Sequence, residues 1–292
     1  MYQHQIDLGT LVALDTHVHI EADDDGNTAL PKVLLDAADA YFGGYQPKLS
    51  LDEIAELYRE RSMAAVVFTV DATTTMKTKP NSSEEIARGA AKNNDVLIPF
   101  GSVDPLLGQP AIDTARRLFE DFGVRGFKFH PSVQGFDPSD IRHYPLFEAI
   151  QEMGVPAVFH TGQTGIGAGL PGGFGIKLRY SNPMLLDDLV ADLPALKVIM
   201  AHPSVPWQDE AISIATHKAN VWIDLSGWSP KYFSANLVRN ANSLLQDKVL
   251  FGSDFPAISP DRWLRDFAAL DMKPHVVPKI LRDNAIALLG LA

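Results

Sequence analysis

His17 and His19 stand two residues apart in Asp15-Thr16-His17-Val18-His19, and three further segments end on a side chain able to bind a metal: Phe159-His160-Thr161-Gly162, Ala201-His202-Pro203 and Gly252-Ser253-Asp254-Phe255-Pro256. Each follows an apolar run. A single histidine in such a place is ordinarily a hydrogen-bonded structural residue. Four histidines and an aspartate gathered together are different, because without a cation their donors and acceptors match poorly. A divalent ion takes neutral imidazole nitrogens at roughly 2.0–2.1 Å and balances the carboxylate. With one position left open, such a centre does chemistry: it lowers the pKa of a water or polarises a carbonyl. The chain has no cysteine, so thiolate sites, iron–sulfur clusters, disulfides and cysteine nucleophiles are excluded.

Something must carry these residues to one place. Eight short, β-branched apolar runs can be marked at 12–20, 65–71, 97–104, 124–131, 155–161, 197–203, 221–226 and 248–255. Most are hydrophobic on both parities, as buried parallel strands are. Amphipathic segments of helical period lie between them at 51–61, 110–122, 145–153, 183–193, 207–217 and 233–245, the first preceded by Ser50 with Glu53 placed for a capping box. Eight alternating units with right-handed crossovers predict an α/β fold, a (β/α)8 TIM barrel spanning residues 1–292 as one domain. An open doubly wound sheet is the alternative. On the barrel, every candidate ligand falls at the C-terminal rim of its strand, where barrel active sites form. Asp15, His17 and His19 share parity and are expected to project to one face. Two departures from a minimal barrel stand out: a lid-like insertion at 21–50, with a helix over 30–41 ending in Gly43–Gly44, and a glycine-rich active-site loop at 162–182.

The ordered set His-x-His on strand one, His160 on strand five, His202 on strand six and Asp254 on strand eight resembles the amidohydrolase superfamily. The flanking words, including Gly126-Phe127-Lys128-Phe129-His130-Pro131, resemble its amidohydrolase-related branch, which includes aminocarboxymuconate semialdehyde decarboxylase and several aromatic-acid decarboxylases, lactonases and hydratases. The likeness runs from Asp15 to a closing helix at 279–289. It implies one divalent ion, usually zinc with manganese as the alternative, held by His17, His19, His160 and Asp254, with His202 a catalytic group beside it. Asp254 is then also the proton carrier. Lys128 is open among three readings: a carbamylated bridge to a second metal, a substrate-carboxylate contact, or a buried ion pair. His130 shares its parity and is either a rim residue or a structural hydrogen-bonding partner.

Two reactions suit this set. A metal-activated water attacking an ester, lactone, thioester or β-dicarbonyl is the reading preferred here, because aromatic-acid decarboxylases of the branch often carry Glu-x-His on strand one and this chain has His17. Non-oxidative decarboxylation of an aromatic or unsaturated acid is the alternative. Arg179 and Lys177, with Lys77 and Lys79, are either a positive edge for an anionic substrate or solvated surface charges. Phe174, Tyr180, Trp207 and Trp228 would suit a planar aromatic group or serve as packing. The net charge of −11 and the absence of a basic run argue against nucleic acid, which binds by counterion release. No apolar stretch approaches the length of a membrane span, and the N-terminus lacks the basic and apolar regions of a signal peptide. A cytoplasmic enzyme is therefore expected, and the family resemblance implies dimers or larger assemblies.

Overall fold

Eight parallel strands form in the expected order: β1 Ala13–His19, β2 Met63–Phe68, β3 Leu97–Pro99, β4 Phe127–Phe129, β5 Ala157–His160, β6 Val198–Ala201, β7 Val221–Asp224 and β8 Val249–Leu250. The computed structural model describes residues 1–42 and 49–292. Gly43 and Gly44, expected to end the helix of the insertion, lie outside them.

Continuous ladders join β1 to β3 and β4 to β8, and the two arcs close at both seams. At one seam Gly101 bridges Phe127, with Lys128 N donating to Gly101 O at 2.8 Å. At the other, Val18 bridges Phe255, while Asp254 N donates to His17 O at 3.0 Å and His19 N to Phe255 O at 2.8 Å. The doubly wound alternative has free edges and is excluded by this closure.

Strand residues of one parity, such as Leu14, Val66, Phe68, Ile98, Val158 and Ile199, fill the barrel interior together with Leu11, Leu288 and Leu289, which come from the chain ends. The other parity packs outward against the helices in a second, larger cluster around Tyr58, Phe129, Phe147, Phe159 and Trp263. Burial on both faces explains why the strands read as unbroken apolar runs.

The insertion's helix, α1, spans Lys32–Phe42, and α2 spans Leu51–Arg59 with the expected capping box: Ser50 accepts from Glu53 N, and Glu53 from Ser50 N. Helices Gln109–Arg117, Tyr144–Met153, Leu185–Asp192, Gln208–His217 and Ala235–Ala241 fall within two residues of their expected starts. Among the described residues, the two longest helices that went unread are Ser83–Lys92 and Pro260–Ala268, beside the single turns Thr73–Met76 and Pro131–Gln134. The two longest carry serine caps, from Ser82 and Ser259. β8 is far shorter than the run at 248–255, because beyond Leu250 the chain pairs with β1 through single hydrogen bonds. Among the described residues no helix is long and apolar enough to cross a membrane.

Candidate active site

Strict alternation would place Asp15, His17 and His19 on one face. The structure corrects this: Asp15 pairs with Ala65, yet Val18 pairs with Val67, so β1 carries one more residue than β2 over the same span. Such a β-bulge reverses the parity beyond it. Asp15 consequently meets the helix layer, accepting from Tyr58 Oη of α2 at 2.7 Å and from the backbone of His17 and Ser253 at 3.1 and 2.9 Å. His17 and His19 turn inward and both set their rings edge-on to Phe68.

His17 is buried completely. Its Nδ1 lies 2.6 Å from Oδ2 of Asp224 at the tip of β7, whose Oδ1 accepts from Ser226 N at 2.6 Å. A carboxylate at that distance makes Nδ1 the donor and leaves the Nε2 lone pair facing inward. Around this Nε2 stand Lys128 Nζ at 3.0 Å, His19 Nε2 at 3.2 Å and Asp254 Oδ1 at 3.3 Å, the last also 3.2 Å from His19 Nε2. Ligand atoms of His17, His202 and Asp254 lie within 4.8 Å of one another. His202 Nδ1 is 2.9 Å from Ser226 Oγ, and its Nε2 is 2.9 Å from His160 Nδ1. His160 in turn stacks face to face on His130, with centroids 3.7 Å apart.

The structure thus gathers His17, His19, His202 and Asp254 tightly, sets His160 behind His202, and brings Lys128 and His130 against the same cluster. Burial pushes the pKa of His17, His130 and His160 well below the ordinary imidazole value, with the Lys128 charge adding to each. Burial likewise lowers that of Lys128 to about 8. Burial opposes the Asp254 carboxylate, but the His19 hydrogen bond and the neighbouring His17 and His202 outweigh it and hold the group ionised. Neutral imidazoles beside an ionised carboxylate are the protonation states a metal requires. The ring nitrogens His160 Nε2 and His130 Nδ1 are buried with no hydrogen-bond partner among the described residues, a state costing about 1–3 kcal/mol each that a cation would relieve at His160. The donor set therefore fits a divalent ion.

Local backbone choices hold these groups in place. His202 and Asp254 adopt φ of 77° and 68°, the left-handed region that costs a non-glycine residue on the order of 1–3 kcal/mol and that concentrates at functional sites. Gly252 is required by close approach, since a Cβ there would lie 2.4 Å from Asp224 Oδ1. Asp224 and Ser226 were not singled out in the sequence. Their signal was the position of Asp224 at the end of the seventh apolar run.

Above this cluster opens a cavity of about 170 Å³, comparable with the roughly 150 Å³ that holds a benzene ring. His19, His130, His160, His202 and Asp254 form its polar side; Leu30, Leu35, Val70, Ile166 and Trp228 are among its apolar lining. The insertion and the loop after β5 both contribute, the latter through residues 163–166. The four cations considered for a positive edge do not line this cavity. Arg179 stacks on Tyr180 and lines a separate groove with Arg142 and His143. Lys79 approaches Asp25 at 3.8 Å, and neither Lys77 nor Lys177 joins the cavity. Of the four aromatic residues considered, Trp228 alone lines it.

No curated protein matches the chain. Among solved structures, an uncharacterized TIM-barrel protein from Bordetella bronchiseptica is 24% identical over 95% of this chain and 98% of its own, with a TM-score of 0.78. A 2,6-dihydroxybenzoate decarboxylase from Rhizobium is 15% identical, covering 96% and 99%, with a TM-score of 0.70. A dihydroxybenzoic acid decarboxylase from Polaromonas, solved with bound manganese and the inhibitor 2-nitroresorcinol, is 15% identical over 96% and 97%, with a TM-score of 0.66. These likenesses establish the barrel. The family model described as Amidohydrolase matches residues 14–291, nearly the whole chain and every residue of the cluster at the rim, and the chain belongs to the amidohydrolase family.

Proposed function

We propose that this chain is a metal-dependent, non-oxidative decarboxylase of a small aromatic carboxylic acid. His17, His19, His160 and Asp254 would hold one divalent ion, zinc or manganese, and His202 and Asp254 would act on the substrate. The observation that carries the reading is a cavity the size of one ring whose polar side is the imidazole–carboxylate cluster. Likeness in fold to decarboxylases of dihydroxybenzoic acids supports it and favours decarboxylation over the hydrolysis expected from His17. The ion, when bound, supplies positive charge for the substrate's oxygens.

The rest falls to side chains. The apolar lining holds the ring and keeps water from it. Asp254, ionised and lining the cavity, takes the proton of a ring hydroxyl and passes it to the ring carbon bearing the carboxylate. The bond from that carbon to the carboxylate then breaks, its electrons restore the aromatic ring, and carbon dioxide leaves; the product oxyanion takes a proton from water. His202, held at Nδ1 by Ser226 and lining the cavity, would turn its Nε2 from His160 Nδ1 toward the oxygens that gain charge.

Manganese- or zinc-loaded protein supplied with 2,6-dihydroxybenzoate in heavy water should release carbon dioxide stoichiometrically and place one deuterium on the product ring. Hydrolysis keeps one specific support, the histidine in place of glutamate at position 17. Heavy oxygen from labelled water in a lactone's product, with the aromatic acids untouched, would establish hydrolysis and defeat the decarboxylase reading.

A further inference from the structure

We infer that the site selects a mono-acid: an aromatic ring whose end remote from the reacting carboxylate is apolar, read by Leu35 of α1. The inference rests on the decarboxylase reading and adds which acids the site accepts. The cavity's two sides come from different parts of the chain. Strand tips provide the imidazoles and Asp254, while the insertion provides Leu30, Leu35 and Ala38, joined by Val70 and Ile166.

Charge sharpens the division. Among the described residues no lysine or arginine lines the cavity. Lys128 is fully buried and held against His17 Nε2 at 3.0 Å. One carboxylate can find positive charge at the cluster. A second, carried across the ring, would lose its water against leucine and alanine with no lysine or arginine among the described residues to meet it. A methyl group in the same position gains from the same surface. Leu35 is partly buried on a helix that ends next to the cavity, so the residue at this position can be exchanged without opening the barrel core.

The test compares binding of 2-hydroxy-4-methylbenzoate and 2-hydroxyterephthalate, which differ only in the remote substituent, to the manganese-loaded protein by calorimetry, with carbon dioxide release measured in parallel. The methyl acid should bind at least about tenfold more tightly, and Leu35→Arg should shrink that ratio by about tenfold or more. Equal or tighter binding of the diacid by the wild-type protein, with carbon dioxide released from either acid, would overturn this selectivity and leave the decarboxylase reading standing. Binding of neither would overturn both. Should Leu35→Arg fail to fold, the wild-type ratio decides alone; a folded variant whose ratio is unchanged removes Leu35 as the reader.

Discussion

Asp224→Asn isolates the contribution of a residue that touches neither substrate nor metal. In the wild-type protein the two oxygens of Asp224 are both acceptors, one facing His17 Nδ1 at 2.6 Å and the other Ser226 N at 2.6 Å. An asparagine has one oxygen to offer. If that oxygen stays with Ser226, the amide NH2 meets His17 Nδ1, which must then accept, and the proton moves to Nε2, where it blocks the lone pair the metal needs. If the oxygen turns to His17, the NH2 opposes the Ser226 N–H. Both residues of the pair have no exposure at all, so water cannot repair either arrangement. Loss of such a supporting hydrogen bond ordinarily costs 10–100-fold in metal affinity, and full burial places this one in the upper part, about 30–100-fold or roughly 2–3 kcal/mol. Competition against a chromophoric chelator reads the affinity, while circular dichroism and urea unfolding of metal-free protein report the fold. Burial raises the pKa of Asp224, so losing the charge itself costs little, and the metal-free barrel should stay folded with at most the roughly 1–3 kcal/mol loss of one mismatched buried group. Metal affinity within threefold of wild type would refute the argument that Asp224 sets the tautomer of His17.

Three further outcomes are expected. His160→Ala should lose most bound metal in elemental analysis with its far-ultraviolet spectrum intact; full occupancy would remove His160 from the ligand set. Burial raises the pKa of Asp15 to about 7, so between pH 4 and 7 the folded metal-free protein holds a proton the unfolded chain has released, and this group makes stability fall as pH rises. Asp15→Asn should flatten that component, gaining up to about 4 kcal/mol on wild type at pH 8 relative to pH 4; parallel urea-unfolding profiles for the two proteins would refute it. Ser50→Ala removes the hydroxyl that accepts from Glu53 N and should cost about 1 kcal/mol in unfolding free energy without changing metal affinity.

The barrel was legible because parallel strands buried on both faces leave apolar runs that few other folds produce, and because chemistry at strand tips leaves a polar residue at the end of each run. His17, His19, His202 and Asp254 were found on that ground. What escaped depended on spatial neighbours. Asp224 is a helper only by virtue of lying 2.6 Å from a ring on the far side of the sequence. The bulge in β1 is a mismatch in length against β2, which neither strand shows alone. Arg179 lies in the right loop, yet that loop turns its cations to solvent and only its first residues to the cavity. The insertion reads as lid-like in the sequence, but which of its residues line the cavity is visible only in the fold.

The extra residue between Asp15 and Val18 has a consequence for how this rim can change. Pairing the same residues without the bulge would put Asp15, His17 and His19 on one face, so that either both imidazoles would turn into the grease beneath α2 or the carboxylate at position 15 would enter the lumen. Side chains at the strand tips can be swapped one at a time, whereas the bulge in β1 orients both imidazoles together. New reactivity on this scaffold is therefore reached through replacement at the rim and through the loops above it, with the bulge in β1 kept.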